Sequence, residues 1–253
     1  MILIKSENIM EKEKIIHLAT NLYEEAFCAN SYWLLIQQIQ KNTKTYNNEM
    51  SVSPCFYNLI YNSLIKSMLM ELSKLYDSNG ISLTNLLDEI NPNKAQNAVM
   101  VTICDNTITH VVCEFDKWYF KNEVDKLNRM CESLNLKSRY PTVEMKYSDY
   151  YEYLKKQFKS ISKSNDKLRE QRNNFLAHNG EGYNFNFKKL NIDFPVNKND
   201  IDKLLEYAFT ITTFVIEVLT GVSKPRTSVD INDWKKTLKL VHEGRDYIEK
   251  VDN

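Results

Sequence analysis

Arg172-Asn173-Asn174-Phe175-Leu176-Ala177-His178 closes a long helical pattern that begins near Tyr147. Upstream of it, Leu154, Phe158, Ile161 and Leu168 recur three, four or seven residues apart, the spacing of one packed helix face. Asn165 falls on that stripe, and so does Arg172, four residues past Leu168. An arginine thus takes a place that the pattern assigns to a packed apolar side chain. A buried guanidinium must be paired or must serve an anion, because an uncompensated buried charge is costly. His178 follows in the last turn, before the stop signal Asn179-Gly180, where unsatisfied helix carbonyls favour its protonated form.

An imidazole and a guanidinium together allow cleavage of an RNA backbone. The neutral imidazole can take the proton of a ribose 2′-hydroxyl. The guanidinium can hold the charge that builds on the phosphate oxygens. No metal or other cofactor is expected, because the 2′-oxygen is itself the nucleophile. Six residues on an ideal helix separate two side chains by roughly 240° and about 9 Å. Arg172 and His178 of one chain therefore do not converge on a straight helix. Either the helix unwinds near Ala177, or two copies of the run face each other across a two-fold axis.

Outward from this run, the chain reads as helical. Among 253 residues there are only 5 Gly and 5 Pro, which favours long helices over a many-turned β fold. Helices are expected over Ile9 to Gln40, from Ser53-Pro54 to Asp77, over Leu83 to Ile90, and over Tyr147 to His178. Lys94 to Leu134 carries a β-branched run (Val99, Val101, Thr102, Ile103, Thr107, Ile108, Thr109), but its length and lack of turn residues favour helix. Lys137 to Lys146 reads as a loop. Glu181 to Asn199 reads as an irregular excursion, with a short strand near Tyr183 to Phe187. Asn199 or Asp200 caps a penultimate helix ending near Gly221, and a final helix spans Ile231 to Val251. The expected division is a helical domain over 1–221, then a linker and C-terminal helix over 222–253 packed on it.

Lys+Arg and Asp+Glu both total 33, so any RNA contact must come from a local patch rather than a basic surface. The five cysteines form no C-x-x-C pair, which suggests reduced, buried thiols and a cytoplasmic setting. The start, MILIKSENIMEKEK, turns charged too soon for a signal peptide. The longest apolar stretch, Ala208 to Val222, is too short for a membrane span.

The run resembles the Arg-x(4–6)-His motif of the HEPN superfamily, in which a polar residue often follows the arginine. The form RNNFLAH is most similar to the AbiU-type abortive-infection branch. A second stretch, Pro54 to Leu87, resembles that branch in a helix ending Leu75-Tyr76-Asp77, a loop and a short Leu-rich helix. The resemblance implies an all-α, HEPN-like bundle of long antiparallel helices, to which the final helix is an addition. It also implies a homodimer formed through the motif helices. It implies metal-independent endoribonuclease activity in many members, in phage-defence or toxin systems, with an antitoxin or other regulator as a further partner. Other members are non-catalytic, so an interaction module or a nucleotide-binding protein is the alternative. By motif position, Arg172 would stabilise phosphate, His178 would be the general base or acid, and Asn173 would orient the site.

Lesser candidates surround this core. Lys159, Lys163 and Lys167 recur every four residues and, with Arg169, could track an RNA backbone. The same spacing also describes a solvated helix face. Glu71 could pair with Arg172 and orient it, or turn outward to Lys74 or Lys66. Asn165, on the motif stripe, is a candidate second support. His17, His110 and His242 have no neighbours at metal-ligand spacing.

Overall fold

The computed structural model describes residues 2–77, 80–93, 107–111, 142–172, 196–228 and 230–251. Three long helices build the body: α1 (Ile2–Asn42), α3 (Pro54–Leu75) and α7 (Lys198–Thr220). The short α2 (Asn47–Ser51) turns the chain between the first two, and α4 (Leu83–Glu89) follows the third element in sequence. The motif region forms α5 (Tyr147–Ser160) and α6 (Ser162–Gln171), and α8 (Trp234–Val251) ends the chain. The fold is all-α in its core, as a HEPN-like bundle requires. Among the described residues, no helix is long and apolar enough to cross a membrane.

Seven residues of α1 form its buried seam: Ile15, Ala19, Leu22, Ala26, Ala29, Trp33 and Ile36. They alternate three and four apart, and the three alanines let neighbouring helices approach closely. The seam packs on α3 and on α7. Gln40 meets Tyr61 while Glu25 lies beside Lys74 and Glu71, so α1 and α3 run antiparallel. Trp33 bonds Asp202 while Tyr23 packs on Phe209, so α1 and α7 are antiparallel too.

Helix boundaries follow local chemistry. Pro54 opens α3, where its missing N–H costs nothing. Ser82 accepts from the Asn85 backbone and starts α4. Gly221, at φ 71°, ends α7 in a left-handed conformation that glycine adopts without strain. The cap of α7 is Asn197, not Asn199 or Asp200 as the sequence suggested. Asp200 sits instead at the third helical position and closes a reciprocal capping box with Asn197.

Two expectations are corrected. Thr107–Val111 and Thr142–Lys146 are strands β1 and β2, paired antiparallel with Thr107 opposite Lys146 and Val111 opposite Thr142. β-Branched residues therefore prevail at Thr107–Val111, where segment length had argued for helix, and 142–146 is strand rather than loop. The rest of 94–134 and the proposed strand near Tyr183 to Phe187 lie outside the described residues. The thiols of Cys28 and Cys55 are exposed, since Cys28 faces away from the α1 seam and Cys55 sits in the open first turn of α3.

The C-terminal segment is fastened by specific contacts. The Tyr23 hydroxyl donates to the Pro225 carbonyl, and Arg226 pairs with Glu206 at 2.7 Å. Trp234 donates to Gln38, Leu238 is buried, and His242 meets the buried Glu49 of α2.

Asp200 joins the motif helix to the body. Ser164 Oγ and Lys167 Nζ of α6 donate to its two carboxylate oxygens at 2.7 and 2.9 Å. The Asn197 backbone N–H donates to it as well, at 3.3 Å. Burial pushes the Asp200 pKa up, but the bonds from Lys167, Ser164 and Asn197 outweigh this and hold it below its ordinary value. Such a group stabilises the fold above its unfolded pKa of 3.8, and the stabilisation is lost as pH falls through the lower folded value. Replacing Asp200 by Ala is expected to lower the unfolding free energy by about 2 kcal/mol in urea melts at pH 7. Asp200→Asn should flatten the acid limb of the stability profile, and an unchanged limb would show that other carboxylates set it.

Candidate functional site

The motif helix presents a buried seam of Tyr147, Tyr150, Leu154, Gln157, Ile161, Ser164, Leu168 and Gln171. Leu154, Ile161 and Leu168 stand on it as the sequence pattern requires. The seam's other flank is not Phe158, Asn165 and Arg172, however. It is Gln157, Ser164 and Gln171, all nearly inaccessible to solvent. Arg172 therefore stands at the edge of the packed face, with its side chain 25% exposed. Its backbone is still helical, at φ −59° and ψ −51°.

Arg172 Nη1 donates to Asp77 Oδ2 at 2.7 Å. Asp77 lies just past the end of α3, so the pair joins the two stretches of sequence that carry the resemblance. The Asp77 side chain is 34% exposed. A pair this open is worth little as a strut, but it fixes the plane of a guanidinium that has five N–H donors. The carboxylate takes part of that set.

Behind the pair lies a pocket of about 180 Å³. Ser73, Tyr76 and Asp77 line it from α3 and its end, and Phe158, Asn165 and Arg172 from α5 and α6. Thr84 of α4 and Arg169 also reach it. Tyr76 is held by its hydroxyl, which donates to the Leu204 carbonyl at 2.6 Å, and burial raises its pKa well above the usual value. Its ring stacks on Phe158 at 6.3 Å and 16°.

The other candidates divide. Asn165 and Arg169 share the pocket with Arg172, and Arg169 also pairs with Asp166 at 3.3 Å. Lys167 is bound to Asp200 and so belongs to the joint between helices. Lys159 and Lys163 are exposed. Roughly 140° and 180° around an ideal helix from Arg172, they face away from the pocket. Glu71 does not reach Arg172; it turns outward and bonds Lys74 at 2.9 and 3.0 Å. That bond raises the pKa of Lys74. Asn173 and His178 lie outside the described residues. Among those described, no group of three or more His, Cys, Asp or Glu could hold a metal ion.

Sequence reasoning missed Asp77, Ser73 and Tyr76 as parts of this site. Asp77 carried one usable signal: an acid immediately after an apolar helix, in the stretch that resembles the same branch as the motif.

The chain matches the family model of AbiU2, a HEPN family, over residues 12–237. Neither a curated protein nor a solved structure matches it. The match spans most of the chain, from α1 into the start of α8, and the chain belongs to the HEPN-type AbiU2 family of abortive-infection proteins.

A double-mutant cycle on Arg172→Ala and Asp77→Ala should give a coupling of at most about 1 kcal/mol in unfolding experiments, because both groups are partly solvated. A coupling of several kcal/mol would mark the pair as a structural strut rather than an orienting contact.

Proposed function

We propose that this AbiU2-family protein is a metal-independent endoribonuclease of a phage-defence or toxin-type system. The observation that carries the reading is Arg172, fixed by Asp77 at the mouth of a pocket and six residues before His178.

His178 removes the proton of a ribose 2′-hydroxyl, and the 2′-oxygen attacks the adjacent phosphorus. The bond to the 5′-oxygen breaks, and that oxygen takes a proton as it leaves. The products are a 2′,3′-cyclic phosphate and a 5′-hydroxyl. Arg172 donates to the equatorial phosphate oxygens, where charge builds in the transition state. Asn173 helps to orient the group that attacks. The internal nucleophile removes the need for a metal-activated water.

On an ideal helix, six residues would hold Arg172 and His178 of one chain apart. The site is therefore shared between two copies whose motif helices meet across a two-fold axis, or is completed where the helix end unwinds. Arg169 beside the pocket, with Lys159 and Lys163 on the outer face, supplies local positive charge to a chain with none in excess. The protein acts on cytoplasmic RNA, under the control of an antitoxin or another regulator.

Purified protein is expected to cleave RNA in EDTA and to leave cyclic phosphate ends. Arg172→Ala and His178→Ala should each lower the rate by at least about 100-fold, the scale of losing an electrostatic or general-base contribution. Asp77→Asn should lower it less, since the guanidinium remains but loses its fixed plane. Cleavage that requires magnesium, or that survives both Arg172→Ala and His178→Ala, would exclude this mechanism. A folded dimer without cleavage would favour the non-catalytic interaction module.

A further inference from the structure

We propose that the pocket behind Arg172 is a nucleobase site. It receives the base next to the phosphate that Arg172 holds, and Ser73 and Asn165 read the edge of that base. The ligand class rests on the nuclease reading, but the recognition rests on other atoms.

Ser73 is 5% exposed and lines the pocket, yet among the described residues its hydroxyl has no hydrogen-bond partner. Serines inside helices commonly donate back to a carbonyl of the preceding turn, as Ser31 and Ser160 do here. Ser73 makes no such bond. A buried hydroxyl left without a partner is costly, and a ligand atom that pairs with it recovers that cost.

The walls suit a flat heterocycle. The Tyr76 and Phe158 rings are nearly parallel. Tyr76 is held by the Leu204 carbonyl, and Phe158 rests on Tyr207 with ring centroids 5.4 Å apart. The half-buried Phe158 ring, backed by Tyr76 and Tyr207, is the fixed aromatic wall on which a base stacks. Asn165 is half-buried at the rim and offers both a donor and an acceptor, the complement of a base edge that carries both. About 180 Å³ leaves room for one heterocycle and not for a duplex, so the substrate is single-stranded or has a base turned out. A bare anion at Arg172 would leave the aromatic wall and the Ser73 hydroxyl unused.

The test separates base from phosphate. Full-length His178→Ala protein is titrated by calorimetry with the four nucleoside 3′-monophosphates, inorganic phosphate and ribose 5-phosphate. One nucleotide should bind about tenfold more tightly than the weakest, and all should bind more tightly than either base-free probe. Ser73→Ala and Asn165→Leu, each added to that protein, should weaken the preferred nucleotide about five- to tenfold, the scale of one hydrogen bond. Phosphate binding should not change. Ser73→Ala removes an unpaired buried group, so its melting temperature should hold or rise while affinity falls.

Equal binding of all four nucleotides, or unaltered binding in both variants, overturns the proposal. Base-selective binding by a wild-type protein that never cuts RNA keeps the pocket and ends the nuclease reading. Cleavage without base preference, with nucleotides bound no better than phosphate, ends the pocket and keeps the nuclease.

Discussion

One carboxylate constrains how the motif helix meets the rest of the molecule. Asp200 caps the start of α7 from within and accepts from Ser164 and Lys167 of α6. The two roles compete for the same oxygens, so the two helices can satisfy Asp200 in only a narrow range of relative positions. Apolar packing alone would not impose this, since it is non-directional and tolerates sliding. The directional bonds fix the register of α6, and with it the place where Arg172 emerges.

From that place the guanidinium reaches Asp77 at the end of α3, which α1 in turn holds by its alanine-rich seam. The site therefore draws on helices well away from the pocket. The neighbouring seam is polar at unusual points. Among the described residues, Gln157 is 1% exposed with neither amide atom bonded, and Gln171 is 2% exposed with its carbonyl oxygen unbonded. Buried amides of this kind weaken the local packing.

Much of this was legible in the sequence. Pro54 and Gly221 announced helix ends because each acts through its own backbone, without reference to distant residues. The Arg–His run and the stretch from Pro54 to Leu87 pointed to one family, and the match over 12–237 agrees. The pairing of Thr107–Val111 with Thr142–Lys146 was not legible: β-branched residues marked the first segment, but nothing in either segment names a partner more than thirty residues away. The azimuth of Arg172 was misread for a related reason. A stripe drawn through apolar residues selects Phe158 over Gln157, while the fold buries the amide and leaves the ring half-covered. Asp77 was hidden by separation in sequence: its partner lies 95 residues away. Glu71 was the acid named for Arg172, with an outward turn to Lys74 or Lys66 as the alternative, and it bonds Lys74.

The break at Ile161 has a geometric meaning of its own. A seam that repeats every seven residues drifts by about 20° per repeat around a straight helix. From Tyr147 to Gln171 that drift would carry the buried face well off the core. At Ile161 the backbone leaves helical values, at φ −93° and ψ 4°, while the bonds from Ile161 to Gln157 and from Asn165 to Ile161 continue across it. The buried face is kept on the core through this break, and the bearing of a guanidinium eleven residues downstream depends on it. One residue added or removed between them would swing Arg172 by about 100°, so this segment can vary in composition but hardly at all in length.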